Sequence, residues 1–234
     1  MKQAMIFAAG LGTRLKPLTD TMPKALVRVG GQPLIWHVIQ KLKSSGYERI
    51  VVNVHHFADQ IVTYLEENHN FGLDIRISDE TSALLETGGG IKKALPLFDA
   101  NEPILIHNVD ILSNLDLEAL PMDAPLLVVS ERQTKRYLMF DNEMRLHGWT
   151  NIETGQVKGE KADKLLAFSG IHVFHPSLVP LLDEWPERFP IMDFYLKACG
   201  THLIRGYEAN DLRLMDVGKL DTLDQAEAFI NSKL

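Results

Sequence analysis

Glycines, a hydroxyl and cations crowd into one short stretch. Residues 8–24 read AAGLGTRLKPLTDTMPK, with Gly10 and Gly12 followed at once by Thr13 and Arg14, and with Lys24 after a segment bounded by Pro17 and Pro23. The run AMIFAA (4–9) at its start is continuous and apolar, the pattern of a buried strand. A glycine-rich turn after such a strand leaves backbone N–H groups exposed at the carboxyl edge of a parallel sheet, where open α/β folds bind ligands. The ligand suited to this chemistry is a nucleotide phosphate, since Arg14 offers a planar fork for its oxygens and Lys24 a point charge. Two familiar phosphate loops fail on spacing. The dinucleotide fingerprint needs a further glycine where Leu15 stands, and the P-loop needs a Gly-Lys-Ser/Thr that is absent.

Phosphoryl chemistry usually also requires Mg²⁺, held by one or two carboxylates and completed by waters and substrate phosphates. Asp110 ends the strand-like PILIHNVD (103–110), so its carboxylate is expected at the same sheet edge as the first loop. Asp216 stands at the end of the late strand-like LRLMD, before a glycine turn. An aspartate at a strand end can equally form a turn or cap a helix, and Asp116 reads as one that does. The segment LETGGGIKKAL (85–95) sets three consecutive glycines before a helical pattern, which marks close approach of a ligand or tight backbone geometry.

These groups need elements to position them, and the first half supplies strand and helix in alternation. Leu34, Ile35, Val38, Ile39 and Leu42 form one helical stripe between Pro33 and Gly46. RIVVNV (49–54) reads as a strand, ADQIVTYLEEN as a helix, LDIRIS as a third strand and PILIHNVD as a fourth. Beyond Pro125 the pattern turns β-rich, with PLLVVS, YLMFDN, MRLHGW and LLAFSGIHVFH separated by polar turns. Helices are expected over PSLVPLLDEW, over IMDFYLKACG and from about Lys219, with strands HLIRGYE and LRLMDVG between them. The fold predicted is α/β: a Rossmann-like, mostly parallel sheet flanked by helices, with a β-rich elaboration in the second half. Trp36 and Trp149 are expected to pack in the core.

The span AAGLGTRLKPLTDTMPKALVRVGGQPLI closely resembles the signature of sugar-1-phosphate nucleotidyltransferases, with its Gly-x-Gly-Thr-Arg and Pro-Lys elements. The resemblance implies that Ala8, Ala9, Gly10, Gly12, Thr13 and Arg14 bind the nucleotide, that Arg14 and Lys24 act at the reacting phosphates, and that Asp110 and Asp216 hold Mg²⁺. This chain has NVD where the family motif is near Asn-Gly-Asp, which leaves the carboxylate in place and Asn108 beside the substrate. Glu86, Gly88 and Gly89 match a loop that contacts the nucleotide base, and Gly170, in FSGIHVF, matches a strand near the sugar. Glu160 and Lys161 resemble a Glu-Lys-Pro motif whose lysine meets the sugar phosphate, but the proline is missing and the spacing to Gly170 is short. Lys161 therefore reads equally as substrate contact or solvated turn.

The same resemblance implies one domain over 1–234, with a nucleotide-binding half (1–124) and a sugar-binding half (125–234). LETGGGI, FSGI and DVG are similar to short family members that join UTP to N-acetylmuramic acid 1-phosphate in cell-wall sugar recycling. Mannose and heptose 1-phosphate guanylyltransferases and phosphocholine cytidylyltransferases share the first loop, so the loop alone does not choose the base or the sugar. A non-catalytic nucleotide-sugar-binding subunit would be marked by loss of Arg14, Lys24 or a metal aspartate, and all are present.

Composition narrows the remaining classes. A net charge of -7, with no long run of Lys or Arg, argues against nucleic-acid and anionic-membrane partners. The N-terminal apolar run is too short for a signal peptide, and no segment approaches the ~20 apolar residues of a spanning helix. A single cysteine, Cys199, excludes an intrachain disulfide and suits a reducing, cytoplasmic setting, and it reads as a small apolar residue on a helix. His55 and His56 are adjacent and must point opposite ways, and His172 and His175 likewise, so neither pair reads as a zinc site. Oligomeric state has no signature in the chain.

Overall fold

Parallel strands buried on both faces need continuous apolar sequence rather than alternation, and the first half of the chain supplies it. In the computed structural model, which describes residues 1–209 and 211–232, β1 (Lys2–Phe7) is followed by a small hairpin of β2 (Arg28–Val29) and β3 (Gln32–Pro33). Then come α1 (Leu34–Ser44), β4 (Tyr47–Val54), α2 (Ala58–Glu67), β5 (Asp74–Asp79), α3 (Glu86–Ala94) and β6 (Ile104–Asn108). β1 pairs in parallel with β4 and with β6, and β4 in parallel with β5. This is the Rossmann-like core expected from sequence.

The second half adds β7 (Ile111–Ser113), β8 (Leu126–Ser130), β9 (Arg136–Phe140), β10 (Leu146–Asn151), β11 (Gln156–Gly159) and the long β12 (Lys164–Phe174). They are followed by α4 (Ile191–Ala198), β13 (Arg205–Glu208), β14 (Leu214–Asp216) and α5 (Leu223–Asn231). β12 runs antiparallel to β6, β8 and β9, so the β-rich part continues the core sheet, in the order β11-β10-β9-β12-β6-β1-β4-β5. Its register against β8 breaks between Phe168 and His172, where Gly170 takes φ +83°.

Alternation along the strands divides the core between the two sheet faces. Ala4, Ile6, Ile50, Val52 and Leu105 pack with the stripe of α1 and with Ile61 and Leu65 of α2. Met5, Val51, Ile104 and Ile106 pack with Ile91 of α3 and with Phe194 and Tyr195 of α4. Each helix thus covers apolar strand residues on its own side, at roughly 25 cal/mol per Å² of apolar surface removed from water.

Several expectations need correction. The PSLVPLLDEW helix is a 3-10 run, Pro176–Glu184, because Pro180 inside it cannot donate an intrahelical hydrogen bond. The three glycines lie within α3 rather than before it. β6 stops at Asn108, so Asp110 lies in the turn to β7. Trp36 and Trp149 are half-buried rather than core residues.

Two buried histidines make the fold acid-sensitive. Burial pulls His107 down from 6.5 to about 4 and His172 to about 3. His107 Nδ1 meets Asn108 O at 2.8 Å while Nε2 has no partner among the described residues, and His172 Nδ1 lies 2.7 Å from the Tyr195 hydroxyl. Both are neutral when folded at neutral pH. Unfolded, they take up a proton below about 6.5, so their contribution to stability is complete above that pH and is lost as pH falls toward about 4. Urea unfolding should show stability dropping by about 1.4 kcal/mol per pH unit for each histidine over this window. A flat profile between pH 6.5 and about 4 would contradict it.

Candidate active site

The first loop is shaped by a buried polar relay beneath it. Glu80, fully buried, accepts from Asn53 Nδ2 at 2.8 Å, which turns Asn53 Oδ1 toward the N–H groups of Ala8 (2.7 Å) and Ala9 (3.3 Å). The other Glu80 oxygen accepts from Leu85 N at 3.2 Å. Strands β1, β4 and β5 and the start of α3 are therefore tied together at one sheet edge. Ala8 and Ala9 donate inward, whereas the N–H groups of Gly10, Leu11 and Gly12 have no acceptor among the described residues. A turn of unpartnered N–H groups is suited to an anion.

Gly12 is required by geometry. It takes φ +63°, and a Cβ there would stand 2.9 Å from Thr19 Cγ2 and 3.0 Å from Lys24 Cβ. Thr19 Oγ1 donates back to Gly12 O at 2.9 Å. Lys24 packs against the loop at Gly12 and, almost fully buried, forms an ion pair with Asp110 Oδ2.

Asp216 reaches Asp110 through strand pairing. β14 runs antiparallel to β7 with Asp216 opposite Ile111, and Val217 N donates to Asp110 O at 2.8 Å. Lys41 of α1 anchors the ribbon from below by donating to Ser113 O at 2.9 Å. Gly218 leaves room for Arg14 beside Asp216, because a Cβ there would meet Asp216 Oδ1 at 2.7 Å and Arg14 Nη2 at 2.9 Å. Arg14, Lys24, Asp110 and Asp216, far apart in sequence, thus share one corner of the molecule.

Burial and then the Asp110 charge raise the Asp216 carboxyl above its ordinary 3.8, against the opposing charges of Lys24, Arg14 and Arg132. The side chain remains open to solvent, which screens the effect. Burial is the larger cause and the neighbouring Asp110 charge the second, and the nearby cations do not reverse the direction. Among the described residues no group of three or more His, Cys, Asp or Glu could enclose a metal. Asp110 lining the cleft, with the exposed Asp216 beside it on the ribbon, instead suits Mg²⁺, which takes most of its remaining ligands from water and phosphate.

The cleft holds about 580 Å³ and is lined by Ala8 to Arg14, Lys24, Asn108, Asp110 and Gly218, with Glu86 and Thr87 on the far wall. A second compartment of about 340 Å³ adjoins it, sharing Phe7, Thr87, Asn108 and Pro190. Gly88 and Gly89 stand behind the wall, where a Cβ would lie 2.2 Å from the Phe189 ring and 2.0 Å from Glu187 O respectively. Their N–H groups donate to Phe189 O at 2.8 and 3.2 Å, so here the close approach is made by the protein's own 187–189 segment. Gly170 is buried against Asn108, with a Cβ placed 2.9 Å from Asn108 Nδ2. Lys161 is exposed and outside the lining of both compartments. Asn53, Glu80, Thr87 and Arg132 have no motif of their own and become visible only through the fold.

Comparison with known proteins bears on this geometry. Residues 3–124 match the family model described as nucleotidyl transferase. An N-acetylmuramate alpha-1-phosphate uridylyltransferase of Caulobacter vibrioides is 50% identical over 111 residues, 47% of this chain and 46% of the relative. A UTP–glucose-1-phosphate uridylyltransferase of Synechocystis is 35% identical over 243 aligned residues, covering 96% of this chain and 62% of the relative. In these matches the chain spans about half to under two thirds of the relatives' lengths. The crystal structure of HddC from Yersinia pseudotuberculosis complexed with GMP-PN is similar in fold, with a TM-score of 0.77 at 21% identity, covering 98% of this chain and all of that one.

Because the Asp216 carboxyl is raised when folded, its ionised form opposes folding at neutral pH. Asp216→Asn should melt no lower than the wild type in metal-free buffer by differential scanning calorimetry. A drop of more than about 2 °C, the scale of about 0.5–1 kcal/mol in a domain this size, would contradict this assignment.

Proposed function

The chain belongs to the nucleotidyl transferase family, the sugar-1-phosphate nucleotidyltransferases, and from that premise we propose that it joins an NTP to a sugar 1-phosphate, releasing pyrophosphate. The observation that carries the reading is the convergence of the 8–14 loop, Arg14, Lys24 and Asp110 in one cleft, with Asp216 brought beside Asp110 by the β7–β14 ribbon at its edge.

In the reaction, a phosphate oxygen of the sugar 1-phosphate attacks the α-phosphorus of the NTP. The new O–P bond forms as the bond to the bridging oxygen breaks, and pyrophosphate departs with that electron pair. A phosphate monoester has its second pKa near ~6, so the nucleophile is already largely dianionic at pH 7 and needs no general base. The obstacle is repulsion between two anions that must approach in line, which makes positioning and charge compensation the main catalytic tasks.

The unpartnered N–H groups of Gly10, Leu11 and Gly12 would receive the triphosphate, with Thr13 alongside and the Arg14 fork on the departing phosphates. Lys24, fixed by Gly12 and Asp110, stands where charge changes hands. Asp110 and Asp216 would hold Mg²⁺, which when bound neutralises phosphate oxygens. The base would lie toward Glu86 and Thr87, and the sugar in the second compartment beyond Asn108.

UTP and N-acetylmuramic acid 1-phosphate are the pair we assign, supported by the similarity to the Caulobacter uridylyltransferase. Glucose 1-phosphate is the competing acceptor, since the Synechocystis relative aligns over nearly the whole of this chain. Cell-wall sugar recycling in the cytoplasm would be the setting for the first pair.

Pyrophosphate release with Mg²⁺, measured across the ribonucleotides and dTTP against a panel of sugar 1-phosphates, tests the reading. Turnover should be fastest with UTP and N-acetylmuramic acid 1-phosphate. Asp110→Asn should lower kcat at least about 100-fold, the scale of lost transition-state electrostatics, with melting temperature little changed. A folded protein that binds nucleotide but releases no pyrophosphate with any pair would favour a non-catalytic binding subunit.

A further inference from the structure

The second compartment carries charge that a neutral sugar does not require. Among the described residues lining it, the ionised side chains are Arg132 and Arg136, and no carboxylate accompanies them. This is unexpected in a chain of net charge -7. His172, on the same wall, is held neutral by burial.

Register sets the arrangement. β9 pairs with β10 so that Arg136 faces Asn151 and Leu138 faces Trp149, and residues two apart on a strand share a face. Arg136, Leu138 and Trp149 therefore form one surface toward the compartment. Trp149 is held in place: Lys158 Nζ lies 5.8 Å from its ring centroid and pairs with Asp193 at 2.7 Å. The result is an apolar floor with a guanidinium at its edge.

The two arginines are not equivalent. Arg132 donates to Phe168 O at 2.9 Å, and its charge is felt at Asp216, which puts it at the end of the compartment nearer the reacting phosphates. Arg136, on the strand beyond, makes no ion pair or side-chain hydrogen bond among the described residues. Its planar fork of donors is suited to bidentate pairing with a carboxylate.

We propose that Arg136 is the residue that reads a carboxylate on the sugar, so that this site selects acidic sugar 1-phosphates over neutral ones. The proposal rests on the sugar-1-phosphate reading of the cleft and adds to it the residue that discriminates. N-acetylmuramic acid 1-phosphate and N-acetylglucosamine 1-phosphate are the informative pair, because they differ by a lactyl ether that ends in a carboxylate.

The test compares kcat/KM for these two sugars with UTP in the full-length wild type, in Arg136→Gln and in Arg136→Lys. The wild type should prefer the acidic sugar. Arg136→Gln should cut kcat/KM for the acidic sugar by about 10- to 100-fold, the value of a charged hydrogen bond, and lower that for the neutral sugar far less. Arg136→Lys, which keeps the charge without the fork, should fall between. Equal losses for both sugars, or no loss for either, would overturn the proposal, as would a wild type that turns over neutral sugars alone. If no sugar is turned over with any nucleotide, the nucleotidyl-transfer reading falls separately. Calorimetric titration of the two sugar phosphates into wild type and Arg136→Gln then decides the arginine's role: a preference for the acidic sugar lost in the variant supports it, and equal binding or none overturns it.

Discussion

Two carboxylates held side by side are a constraint that the rest of the cleft answers. The ribbon of Ile111–Ser113 and Leu214–Asp216 brings Asp216 next to Asp110, and the backbone bond from Val217 to Asp110 leaves little freedom to separate them. Lys24 compensates one carboxylate directly, and Arg14 approaches the other across Gly218. The upward shift of Asp216 persists despite these cations. A fold that maintains such a pair is disposed to accept a further cation, and a cation disposed to phosphate makes the neighbouring N–H turn useful.

The supporting structure follows from keeping that corner rigid. Glu80 and Asn53 fix the direction of the first loop, Gly12 lets Lys24 lie against it, and Lys41 ties the ribbon to α1. Each is a buried or half-buried polar group with a partner, and removing one partner leaves the other unsatisfied at a cost of about 1–3 kcal/mol. The cleft is thereby anchored on strands and a helix, while the phosphate-facing turn, Asp110 and Gly218 sit on the connections between them.

Much of this was legible in the sequence because it depends on local pattern. The Rossmann-like alternation, the glycine turn after the first strand and Lys24 after Pro23 are all local features, whereas Asp110, expected at a strand end, stands two residues past it in the turn to β7. The β7–β14 ribbon was not legible, because three-residue strands carry almost no periodicity, so Asp216 could be tied to Asp110 only through the family resemblance. The glycines at 88–90 were legible as a close approach but not as to what approaches. Phe189, Glu187 and Glu80 fill that space, and nothing in the local sequence names them. Asn53 and Glu80 carry no motif of their own, and Arg136 gains meaning only once its register with Trp149 is known.

The carboxylate pair can be tested apart from chemistry. Calorimetric titration of UTP into the wild type and into Asp216→Asn, each with and without Mg²⁺, isolates what the pair contributes to nucleotide binding. Mg²⁺ should tighten UTP binding by the wild type at least about 10-fold, equivalent to about 1.4 kcal/mol, and the gain should largely vanish in the variant. UTP binding indifferent to Mg²⁺, or the same gain in both proteins, would contradict a cleft organised around Asp110 and Asp216.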